Sequence, residues 1–220
     1  MKADELFLQA DAALRSVIDR IDPADLSKPA PQEWTSTPDP TFRDILFAHA
    51  YDEAWVPDVL AGKSVADGDE FRDADLLGDD PIASYDRLND TATAAVRDGA
   101  EPGTVFRFQY GDYPADEGYA HLATYRAFQA WLIAKRLGIP FHLSPELIAV
   151  ERARRAARRR VASVGCVPAG DRTARGCRRR NAAAVRGGVL GGLILSARAR
   201  RARCRPGRET MRSPGRPSRA

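Results

Sequence analysis

Glu117 and His121 form the pair best suited to chemistry, four residues apart in Glu117-Gly118-Tyr119-Ala120-His121. Residues i and i+4 share one helix face, so a carboxylate and an imidazole at that spacing can converge on one ion. The other two histidines are His49 and His142. His49 lies in an apolar-periodic stretch, where a hydrogen-bonded core histidine and a ligand are both open readings. Glu117 also suits the first turn of a helix, where exposed amides favour an acidic side chain without any metal. His142 follows a helix end beside Phe141 and reads as structural. Tyr125, Phe128 and Leu132 make a stripe that reads as core rather than as a substrate box. Cys166, Cys177 and Cys204 lack paired C-x-x-C spacing, which argues against a zinc site built from them.

Four helical segments must position these residues. The first runs from about Asp4 to Ile21, with Leu6, Ala10, Leu14, Val17, Ile18 and Ile21 on one stripe, Asp4 placed to cap it and Pro23 to stop it. Asp22 to Pro40 is a Pro-rich loop around Trp34. A second helix, about Thr41 to Leu60, sets Phe42, Ile45, Leu46, His49, Glu53 and Val56 on one face, so His49 belongs to the buried stripe. Ala61 to Asp80, rich in Asp and Gly, is a long connection. A third helix begins near Pro81 and carries Ile82, Tyr85, Leu88, Ala92, Ala95 and Val96. Thr104 to Tyr110 alternates like an extended segment, and a fourth helix spans about Pro114 to Leu137, ended by Gly138 with Pro140 beyond. The expected fold class is all-α: an up-down four-helix bundle with long inter-helix loops.

Charge divides the chain at Ala149. Residues 1–149 hold 13 basic and 27 acidic side chains, a net charge of −14, whereas the remainder holds 21 basic against 3 acidic, a net of +18. All 21 are Arg, and no Phe, Tyr or Trp occurs after Ala149. Residues 1–149 therefore read as one helical domain, and 150–220 as a low-complexity basic tail with too little apolar surface to order itself. Reading permitted codons of Arg154 to Gly176 from their second base yields an aromatic-containing sequence, so the tail reads as an out-of-frame translation of a G+C-rich gene. A nucleic-acid-binding arm is the competing reading, but such arms mix Lys with Arg. The apolar run Val189 to Leu195 is far short of the roughly 20 residues that cross a bilayer, and Met1 to Gln9 lacks the apolar core of a signal peptide. A cytoplasmic location with no membrane partner and no specific nucleic-acid partner is expected.

The order of features resembles the DinB-like family, in the branch that includes the mycothiol-dependent maleylpyruvate isomerases. The features are a first long helix, Asp22-Pro23-Ala24-Asp25-Leu26, Pro31, Glu33-Trp34, then Arg43 to His49 with its central histidine. Tyr110-Gly111-Asp112-Tyr113-Pro114-Ala115 is similar to the family's turn before the last helix, and Trp131 to Gly138 to that helix's end. The likeness spans nearly all of residues 1–149.

The resemblance implies a divalent metal, zinc or nickel, held by His49 of the second helix together with Glu117 and His121, with a fourth position open for water or a thiol. It further implies a low-molecular-weight thiol such as mycothiol, which the metal would acidify for attack on the double bond of a small conjugated substrate. A second alignment is open. Matching Trp131 and Gly138 to the family's W-D-L-A-R-x-x-G ending moves the ligand positions to Tyr125 and Gln129, which are poor zinc ligands, and leaves His49 alone. Two functions follow: a metal- and thiol-dependent isomerase or transferase, or a non-catalytic helical-bundle binding module that has lost its metal. A basic-tailed nucleic-acid binder ranks third. Oligomeric state stays open, a dimer among the options.

Overall fold

The structure is a computed structural model and describes residues 1–150 together with Arg152 and Ala153. The expectations for the basic tail, its cysteines included, lie outside the described residues. Four long helices carry the fold: α1 (Ala3–Ile18), α2 (Phe42–Leu60), α3 (Pro81–Asp98) and α4 (Ala115–Leu137). Strands β1 (Val105–Phe108) and β2 (Gly111–Pro114) form an antiparallel hairpin between α3 and α4, with Phe106 opposite Tyr113. Among the described residues, no helix is long and apolar enough to cross a membrane.

Local chemistry sets the helix ends. Thr41 caps α2 and exchanges hydrogen bonds with Asp44, satisfying amides at the first turn. Asp80 accepts from the Ala83 amide at the start of α3, where Pro81 has no N–H to lose. Gly138 closes α4 at φ 71°, in the left-handed region that favours glycine. At α1 the cap differs from expectation. Lys2 is the capping residue and its amide donates to Glu5, while Asp4 lies inside the first turn.

Helix directions follow from cross-helix contacts. Along α1 and α4, Phe7 meets Tyr119, Asp11 meets Arg126, and Arg20 reaches the Pro140 carbonyl, so the two helices run the same way. Along α1 and α3, Asp11 meets Thr93 while Arg15 pairs with Asp86, so these run oppositely. The C-terminal ends of α2 and α3 share one apolar cluster (Val59, Leu60, Val96) with Leu6 and Tyr119. Their N-terminal ends share the other (Phe42, Ile45, Tyr85) with Val17 and Ile133. Helices α2 and α3 are therefore parallel, and the helices do not alternate in direction as the expected up-down order has them.

A long connection makes the parallel pair possible. Helix α2 is about 28 Å long at 1.5 Å per residue, and the stretch from Ala61 to Asp80 can reach more than about 60 Å when extended. It is pinned as it returns: Phe71 packs edge-on against Trp55, Tyr51 donates to Asp69, and Leu77 is buried.

Candidate functional site

Between the two apolar clusters lies a polar layer to which all four long helices contribute. His49, midway along α2, is 1% exposed, and its ring lies 5.6 Å from that of Tyr125 on α4. Its Nδ1 has no hydrogen-bond partner among the described residues. Burial, then the nearby Arg126 charge, pushes the imidazole down to about 3, so it is neutral at physiological pH. Burial raises the Tyr125 hydroxyl well above the ordinary phenol value, with the Asp52 and Glu53 charges adding to the effect. One turn beyond Tyr125, Gln129 is buried with its Oε1 unpartnered.

Arg126 stands beside this group. Its Nε donates to Asp11 Oδ1 at 2.9 Å, its Nη2 lies 2.9 Å from Glu53 Oε1, and its guanidinium sits 4.5 Å over the Phe7 ring. Asn89 and Thr93 of α3 donate to the second oxygen of Asp11, at 2.8 and 3.1 Å. Burial works against the guanidinium charge, yet Glu53 and Asp11 outweigh it and raise its pKa, so Arg126 stays cationic. Glu53 moves the opposite way from an ordinary ion-paired acid: burial pushes its carboxyl up to about 8 although Arg126 opposes the shift.

The three residues expected to hold a metal occupy different surroundings. His49 is buried against Tyr125; Glu117 is exposed in the first turn of α4; and His121, half-buried, packs edge-on against Tyr113 at 4.4 Å and near Tyr110 at 6.0 Å. Glu117, His121, Tyr125 and Gln129 follow one another at four-residue intervals along α4. Of these, Tyr125 is the residue in ring contact with His49. Among the described residues, no three His, Cys, Asp or Glu side chains form a group that could hold a metal ion. His142 is exposed beyond α4.

Sequence reasoning placed His49 and Glu53 on the buried face of α2 but missed Asp11 and Arg126. The signal was available. Asp11 stands at a stripe position between Phe7 and Leu14, and Arg126 follows Tyr125 within a stretch of buried residues, so both charges needed interior partners. A groove of about 930 Å³ lies elsewhere, at the N-terminal ends of α1 and α4, and shares no residue with the His49 layer.

No protein-family model, no curated protein and no solved structure matches the chain.

Proposed function

We propose that the chain is a DinB-like four-helix bundle, of the branch that includes the mycothiol-dependent maleylpyruvate isomerases, acting as a small-ligand-binding module rather than a metal-dependent catalyst. One observation carries this: the side chain facing His49 is Tyr125. In the alignment anchored on Trp131 and Gly138, Tyr125 and Gln129 stand where the metal-binding members place their Glu and His. A phenol held neutral by burial and a side-chain amide do not fit a zinc site, and no catalytic step through a metal follows from them. Together with neutral His49 they offer hydrogen-bonding groups of both polarities, which suits an uncharged polar ligand.

Restoring the family's residues tests this. The Tyr125→Glu, Gln129→His double variant should bind about one equivalent of zinc when reconstituted, whereas the unaltered protein should retain none after dialysis. Stoichiometric metal in the unaltered protein, lost in His49→Ala, would overturn the module. A second reading, a metal- and thiol-dependent isomerase or transferase using His49, Glu117 and His121, rests on the four-residue spacing of Glu117 and His121, which stand two turns and one turn before Tyr125 on α4.

A further inference from the structure

The polar layer contains one buried guanidinium and two carboxylates on it. Arg126, Asp11 and Glu53 are each 1% exposed. The two carboxylates are not equivalent. Asp11 is fully engaged, with Oδ1 accepting from Arg126 and Oδ2 from Asn89 and Thr93. With donors on both its oxygens, Asp11 is the better-matched partner of Arg126. Glu53 receives Arg126 on Oε1 alone, and no described residue donates to its Oε2.

Among the described residues, the groups facing Glu53 supply no second cation. Arg126 and Tyr125 come from α4, Asp11 from α1, Tyr85 from α3 and Asp52 from α2 itself, while His49 one turn back on α2 is neutral. The Tyr85 hydroxyl is buried without a hydrogen-bond partner, and burial, then the Glu53 charge, raises it well above the ordinary phenol value. A second charged carboxylate here would be a desolvated ion lacking a counter-charge, and a buried acid in that position takes up a proton instead.

We infer that Glu53 is a proton-operated latch: it holds a proton on its free oxygen in the folded protein, and ionisation of that oxygen destabilises the buried polar layer that joins α2 to α4. Protonation turns Oε2 from an acceptor without a donor into a donor, and leaves Arg126 and Asp11 as a balanced pair. The upward displacement of the carboxyl, from 4.5 to about 8, runs in the same sense.

The sign is fixed by linkage. A carboxyl raised in the folded state contributes stability that is full below its unfolded value and is lost as pH rises through the folded value. Between these limits one proton is released per unfolding event, so the folding constant should fall about tenfold per pH unit from this group. The inference is independent of whether the layer binds a ligand.

Urea unfolding of the full chain across mildly acidic to alkaline pH, paired with infrared detection of a protonated carboxyl, tests it. The unaltered protein should show a protonated carboxyl band at neutral pH that titrates away near pH 8, together with the tenfold-per-unit loss between about pH 6.5 and 8, above the range in which His49 contributes. Glu53→Gln, neutral and of the same shape, should lack that band and hold its stability between about pH 6.5 and 8. Asp11→Asn should lower the pH at which the loss levels off by about one unit or more, because Arg126 is then freed to pair with an ionised Glu53. The absence of a protonated carboxyl band at neutral pH in the unaltered protein would overturn the latch even if neither variant folds. So would parallel pH profiles for the unaltered protein and Glu53→Gln.

Discussion

Gly118 lies one turn into α4, and replacing it with alanine sets two physical effects of opposite sign against each other. Helix propensity alone predicts stabilisation of about 1 kcal/mol, because glycine in a helix interior loses more backbone entropy than alanine. Packing predicts the reverse. A Cβ on Gly118 would stand 2.3 Å from Phe106 Cδ2, 2.8 Å from Cγ and 3.0 Å from Cβ. Carbon atoms pack best at about 3.5–4.0 Å, so the overlap exceeds what a small ring rotation relieves. Phe106 has little room to retreat: it is fully buried, edge-on to Tyr119 at 4.9 Å and to Phe108 at 6.2 Å, and β1 is held in register by β2. Overpacking of this kind costs about 1–3 kcal/mol or somewhat more, so the net change in Gly118→Ala should be a loss of about 1–2 kcal/mol. Urea unfolding followed by far-UV circular dichroism measures it directly, and Tm should fall by roughly 2–8 °C. The decisive comparison uses Phe106→Ala as the background. There the obstacle is gone, so the same substitution should stabilise by about 1 kcal/mol, a reversal of sign. Stabilisation in the unaltered background, or equal losses in both, would show that the approach of β1 to α4 is not what requires glycine.

Two further outcomes follow from named residues. His49, pushed down to about 3 by burial and then by Arg126, contributes stability that is full above its ordinary value of 6.5 and lost as pH falls toward 3. The stability difference between the unaltered protein and His49→Leu should therefore shift against the unaltered protein by on the order of 4 kcal/mol across that interval in urea unfolding; parallel acid limbs would mean the imidazole is hydrated when the protein is folded. At the gene level, a one-base insertion or deletion near codon 150 is expected, with an alternative frame that stays open and encodes aromatic residues; sequencing that finds it riddled with stop codons would establish the basic segment as genuine.

The helices were legible because their ends carry independent chemical signals. Thr41 with Asp44, Asp80 with Pro81, and Gly138 before Pro140 each satisfy or terminate backbone hydrogen bonding locally, without reference to the rest of the fold. The second strand was not legible. Gly111-Asp112-Tyr113-Pro114 has the composition of a turn, and only pairing with Val105 to Phe108 makes it extended. Alternation in Thr104 to Tyr110 revealed one strand of the hairpin and hid the other.

Helix direction was hidden for a related reason, since apolar periodicity identifies a buried face but not the helix that covers it. The polar layer carries that missing information. Asp11 meets Arg126 of α4 through one oxygen, and Asn89 and Thr93 of α3 through the other. Arg126 in turn reaches Glu53 of α2. Apolar side chains tolerate sliding, whereas a buried charge left without its partner costs about 3–5 kcal/mol. Shifting α4 by a single turn would take Arg126 away from both Asp11 and Glu53 and leave its charge unpaired in the interior. The same layer fixes which residue looks at His49: with Arg126 locked between Asp11 and Glu53, the preceding Tyr125 is carried to the imidazole while Glu117 stays at the exposed start of the helix. Which residue of α4 meets His49 thus follows from Arg126, whose charge within an otherwise buried stretch was the signal the sequence carried.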